Sequence, residues 1–157
     1  MRLHALVLGA VFWASAAHAA FADEVWTTFT KLGLPGRWAS DCSQPPSPQN
    51  PFLTYYHDAD ATMRRLDIGN PAERPITRIE TARIRQDGLL TVRERLSSGW
   101  GQYSGMELDL VILYEGRRHR TLSSISSDGK VHIKDGIVQS TGKTSPWLYK
   151  CEAGPGS

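Results

Sequence analysis

From Phe52 onward, apolar and polar positions alternate in short runs, and glycine- or proline-bearing turns separate them. A period of two residues is the mark of a half-buried strand. Met106 to Tyr114 is the clearest run. Met106, Leu108, Leu110, Ile112 and Tyr114 share one face, while Glu107 and Asp109 point the other way. Glu115-Gly116 then turns the chain into Arg118–Ile125. The segments 52–57, 61–68, 76–85, 89–96, 130–134 and 137–140 also read as strands, and 146–151 closes the series. Gln86-Asp87-Gly88 is a hairpin signal, and Asp128-Gly129 and Asp135-Gly136 punctuate later segments. Strands at spacings of about 8–12 residues predict an all-β barrel or sandwich.

Upstream the period changes. Val25, Trp26, Phe29 and Leu32 fall at helical spacing and predict one or two turns of helix within 23–35, ended by Gly33 and Pro35. Thr27, Thr28 and Thr30 weaken that helix through their β-branching. Gly36 to Cys42 is short and extended. It leads into a stretch with prolines at 45, 46, 48 and 51, which fits neither a helix nor a central strand.

Residues 1–22 predict an export signal. Arg2 gives a positive start, Ala5 to Ala16 is an uncharged and mainly apolar run, and Ala17-His18-Ala19 or Ala20-Phe21-Ala22 supplies the cleavage motif. A membrane anchor would need about 20 apolar residues, more than this run provides. No second apolar span follows, so the expected mature protein is periplasmic or secreted, with no transmembrane segment. The last residues, 153–157, read as a disordered tail.

Composition narrows the picture. The 157-residue chain carries 18 basic and 16 acidic side chains, and the leader removes only Arg2 from that balance. A near-neutral charge lacks the basic footprint of a general nucleic-acid binder. With 40 % apolar and 22 % charged residues the chain can build one core. Cys42 and Cys151 are the only cysteines, and in an oxidising compartment they most simply pair with each other. Their wide spacing speaks against a redox-active pair, which usually has a CxxC arrangement.

Gly36-x-Trp38, placed after a helical turn and opening a meander of about eight strands, resembles the lipocalin-like (calycin) barrels. That resemblance implies a single up-and-down antiparallel barrel over 36–152 in which Trp38 plugs one end. Gly36 would be structural, and Lys150 from the last strand, or Arg37 locally, would supply the basic side chain beside the Trp. A second set of motifs is Gly36-x-Trp38-x-x-Asp41-Cys42-Ser43-x-Pro45, Ser127-Asp128-Gly129-Lys130-Val131-x-Ile133-Lys134-Asp135-Gly136 and Pro146-Trp147-x-x-Lys150-Cys151. It resembles small exported proteins of proteobacteria, a likeness that supports the periplasm and the bridge and carries no activity with it.

Polar residues on apolar faces are the sharpest local anomaly. Strict alternation places Glu94 with Leu90, Val92 and Leu96, and places Arg78 and Glu80 with Ile76, Ala82 and Ile84. Facing inward, Arg78, Glu80 and Glu94 would form a paired network, because an unpaired buried charge is costly. That network would line a ligand site or fill a closed core; a β-bulge would instead return the side chains to water. Trp100, between two glycines, is expected at a barrel mouth where it would close on a ligand. Arg117-Arg118-His119-Arg120 reads as a solvated strand or an anion site. Arg83, Arg85, Arg93 and Arg95 form an outward basic strip. His57-Asp58-Ala59-Asp60 reads as a turn, since a metal site needs three or more placed ligands.

No motif for a catalytic serine, zinc peptidase or phosphate loop is present. The expectation is a non-catalytic, cofactor-free monomer that holds a small apolar or amphipathic ligand, since closed barrels of about eight strands can enclose one. An envelope protein that binds a protein or anionic polymer through its surface is the competing expectation. A hydrolase would need a histidine facing a carboxylate and a nucleophile in a cleft.

Overall fold

The structure, a computed structural model, describes residues 24–152. The leader 1–22, with both cleavage positions, and the tail 153–157 lie outside the described residues.

Residues 24–31 form a helix, α1. It persists despite three threonines because Val25, Phe29 and the following Leu34 bury in the core, and packing of an apolar face outweighs intrinsic propensity. Its end is a Schellman motif. Gly33, at φ +68°, donates its N–H to Thr30 O, and Leu34 N donates to Phe29 O.

Ten antiparallel strands follow among the described residues: β1 (Gly36–Ala39), β2 (Phe52–Asp58), β3 (Ala61–Asp67), β4 (Ile76–Ile84), β5 (Leu90–Ser98), β6 (Glu107–Glu115), β7 (Arg118–Ser126), β8 (Val131–Lys134), β9 (Ile137–Val138) and β10 (Leu148–Lys150). Strands β1 to β7 pair in chain order, and β10 lies between β1 and β7. This closes an eight-stranded up-and-down barrel, the architecture expected of a lipocalin-like fold. The edge of β7 is shared. Arg118 and His119 pair with β10, while Ser124 and Ile125 pair with β8. The β8–β9 hairpin is therefore appended outside the closed circuit.

The Cys42–Cys151 disulfide spans a sequence separation of 109 and clamps the seam between β1 and β10. Such a bridge fits a compartment outside the cytoplasm. Among the described residues no helix is long and apolar enough to cross a membrane.

Up-and-down order puts the β2–β3, β4–β5 and β6–β7 hairpins at one end of the barrel and the longer loops at the other. Between the ends, Ile79, Ala82, Leu90, Val92, Leu110 and Ile112 fill the core. Each of these side chains except the small Ala82 contributes about 1.5–3 kcal/mol through burial.

One expected face is corrected. Strand β4 changes register between Ile79 and Thr81, so Thr77, Ile79 and Ala82 point inward. Arg78 and Glu80 consequently lie on the outer surface, where Glu80 pairs with Arg95 at 3.2 Å and Arg78 stands 3.8 Å from Glu80. A bulge moves one residue out of alternation, and desolvation of two charges favours that shift. The basic strip is also largely neutralised, with Arg93 on Asp109, Arg95 on Glu107 and Arg85 on Asp87. Only Arg83 of the strip has no ion pair among the described residues.

Candidate functional site

The two ends of the barrel are built differently. At the hairpin end, Trp38 is 0 % exposed and its Nε1 donates to Leu34 O at 2.7 Å. Lys150 Nζ stands 5.7 Å from the centroid of the Trp38 ring and donates to Gly33 O. Gly36 sits at φ +116°, a backbone conformation that side chains with a Cβ rarely adopt. Arg37 points outward and stacks on Phe52 instead of Trp38. Helix α1, Trp38 and Lys150 together seal this end.

Inside the barrel, Glu94 is 1 % exposed and accepts from Arg64 Nη2 at 2.7 Å. Arg64 thus takes the place that alternation had assigned to Arg78. Burial outweighs the attraction of Arg64 and pushes the Glu94 carboxyl up. Tyr55 is pushed up to about 12 by burial, and the charges of Arg64 and Glu94 act on it in opposite directions. His119 comes from the basic run but points inward, 2 % exposed, with its ring 4.7 Å from Trp38. Burial, aided by the charge of Arg64, lowers its pKa to about 4. Among the described residues, the hydroxyls of Thr62 and Thr77 and both ring nitrogens of His119 have no hydrogen-bond partner.

The opposite end holds a cavity of about 290 Å³. Leu96, Trp100, Tyr103, Met106 and Leu108 form its apolar wall; Ser124, Ser126, Asp128, Lys130 and His132 form the polar one. The space exists because β7 supplies small serines to the inner face where β6 supplies leucines: Ser126 pairs with Leu108, and Ser124 with Leu110. Glu94 pairs with Leu108 in the same row, so the buried ion pair lies directly beneath the cavity floor. Trp100 is half-buried and anchored by Nε1 donating to Ile76 O at 3.0 Å. A larger cleft of about 490 Å³ lies outside the sealed end, but Tyr114 is its only large apolar residue.

Ser126, Asp128 and His132 meet on the polar wall. Ser126 Oγ is 2.5 Å from Asp128 Oδ1 and 3.0 Å from His132 Nε2. A hydroxyl has one proton, and the shorter contact with the charged acceptor takes it. His132 Nε2 therefore donates to Ser126 instead of removing its proton. In a nucleophilic triad the imidazole accepts from the serine and the carboxylate orients the imidazole; here the carboxylate holds the serine. Asp128 Oδ1 also accepts from Lys130 N, which fixes the β7–β8 turn, and the Ser126 hydroxyl holds the Asp128 carboxyl below its usual range.

Sequence reading reached Glu94 and Trp100 but gave the polar wall no role in binding. Its signal was present in Ser124 and Ser126, small polar residues at alternate inner positions of one strand. His57-Asp58-Ala59-Asp60 is a tight turn in which His57 packs on Trp26, and no metal-binding group of three or more is found among the described residues. Arg118 and Arg120 both lie over the Trp147 ring.

Barrel and cavity together define a closed eight-stranded β-barrel with one sealed end and one pocketed end. Compared with protein-family models, curated proteins and solved structures, the chain matches none.

Proposed function

We propose that this is an exported, periplasmic binding protein of lipocalin-like type, akin to the small proteobacterial proteins that share its Gly36-x-Trp38 and Pro146-Trp147-x-x-Lys150-Cys151 motifs, and that it carries a small amphipathic molecule. The carrying observation is the mouth cavity, with one apolar wall and one polar wall facing the same space. Pockets of this kind fix a ligand by apolar burial and orient it with a few polar groups. Glu94 and Arg64 set the polarity beneath the floor, and Trp100 covers the ligand from the rim. Arg78 and Glu80, on the outer surface, take no part in it. The reading is non-catalytic because Ser126 is held by a carboxylate rather than activated by a base.

Native mass spectrometry of the protein purified from the exported fraction tests this. A reproducible added mass that is lost on unfolding, and absent from Trp100→Ala, is the expected result. A bare monomer would favour the second reading, an envelope protein that docks a partner or anionic polymer on its surface. One observation supports that alternative: among the described residues Arg37, Arg65 and Arg120 have no carboxylate within 4.0 Å, and they lie over Phe52, Tyr56 and Trp147.

A further inference from the structure

The polar wall of the mouth cavity carries one cation and one carboxylate that are not paired with each other. Neither Lys130 nor Asp128 makes an ion pair within 4.0 Å among the described residues. The proton count at Ser126 fixes what remains available. Asp128 Oδ1 is occupied by the Ser126 hydroxyl and Lys130 N, which leaves Oδ2 as an unengaged acceptor. His132 Nε2 carries its proton toward Ser126, so in the neutral ring Nδ1 is a second acceptor. Among the described residues Lys130 Nζ has no partner, which makes it the unengaged donor. Of the other titratable side chains nearby, Tyr103 alone lines the cavity, while Arg95 and Glu107 pair with each other on the outer face.

A ligand bearing only a carboxylate would meet Asp128, and one bearing only an ammonium would meet Lys130. Each leaves one like-charge approach uncompensated. A head group that holds both charges close together satisfies both. Size agrees: an apolar cavity of about 150 Å³ accommodates benzene, and this one, at about 290 Å³, has room for a ring or branched chain plus a compact head group.

We infer that the ligand is a small zwitterion with an apolar substituent, such as a free apolar α-amino acid. Its carboxylate lies toward Lys130, its ammonium toward Asp128 and His132, and its substituent against Trp100, Leu96 and Leu108. This rests on the mouth cavity being the ligand site.

The test is calorimetric titration of the purified protein with L-phenylalanine, phenylpropanoate, phenethylamine and phenethyl alcohol. L-phenylalanine is expected to bind at least about tenfold more tightly than any of the other three, a margin of about 1.4 kcal/mol. Lys130→Gln should weaken L-phenylalanine and phenylpropanoate about tenfold and leave phenethylamine unchanged. Asp128→Asn keeps an acceptor for the turn and should weaken L-phenylalanine and phenethylamine instead. Should Asp128→Asn fail to fold, the Lys130→Gln series decides alone. Phenylpropanoate or phenethyl alcohol binding as tightly as L-phenylalanine, with Trp100→Ala abolishing both, overturns the zwitterion while the carrier reading stands. If none of the four binds and the native mass is bare, the carrier reading falls as well.

Discussion

Each end of the barrel is organised around a tryptophan whose indole N–H donates to a backbone carbonyl, Leu34 O for Trp38 and Ile76 O for Trp100. What surrounds the two rings differs. Trp38 lies among His119, Tyr114, Lys150 and the residues that follow α1, and none of its surface reaches solvent. Trp100 has an anchored edge, and the rest of it contributes to the wall of the mouth cavity. The same residue type thus serves stability where it is enclosed on all sides, and offers a contact surface where one side stays open. The difference comes from the neighbours: a helix caps one end, and two serines leave room at the other.

If the hairpin end is the structural end, weakening it should cost the whole fold. Reducing Cys42–Cys151 should remove about 4–5 kcal/mol, since the bridge closes a long loop and pins the three-residue β10 that carries Lys150. Urea melts with and without reductant measure this, and coincident curves would mean that the bridge leaves stability untouched. Trp38→Ala comes next, at about 3–5 kcal/mol for a fully buried aromatic. Trp100→Ala should cost about 1 kcal/mol or less, as a partly exposed side chain at a rim. Equal losses for the two variants would erase the distinction between the ends.

Much of this architecture was legible in the chain. The alternation of Met106 to Tyr114 located β6 and its inner face, and Gly33 with Pro35 located the end of α1. Two cysteines behind an expected export signal pointed to the bridge. The pattern of β4 left two readings open, unbroken alternation or a bulge, and the register shift between Ile79 and Thr81 decides for the bulge. A bulge at Glu80 is set by how a strand meets its neighbours, and no local signal in Ile76 to Ile84 marks it. Glu94 kept its inner position because β5 alternates without a break, yet its partner Arg64 comes from β3, two strands away. Pairing at that distance depends on barrel shear, which a one-dimensional pattern does not carry. The polar wall escaped for a related reason: Asp128 and Lys130 read as turn residues, which they are, and only closure of the barrel turns that hairpin toward Trp100.

His119 gives the sealed end a pH dependence. Its folded pKa, about 4, lies below the ordinary histidine value of 6.5, because burial against Trp38 and the nearby Arg64 disfavour the imidazolium. As pH falls below 6.5 the unfolded chain takes up the proton first. Stability then declines by about 1.4 kcal/mol per pH unit, and the loss is complete near pH 4, at about 3 kcal/mol in all. Glu94 acts in the opposite sense: its raised pKa lets the folded state bind a proton more readily, which favours folding as pH drops. The surface carboxylates add slopes of their own. Comparison with His119→Phe, which keeps an aromatic ring beside Trp38, subtracts all of these. The difference in unfolding free energy between the two proteins should therefore shrink or reverse in favour of the variant between pH 6.5 and 4, with a slope approaching one proton. Parallel stability curves across that window would mean that His119 titrates as an ordinary imidazole and that the sealed end admits water.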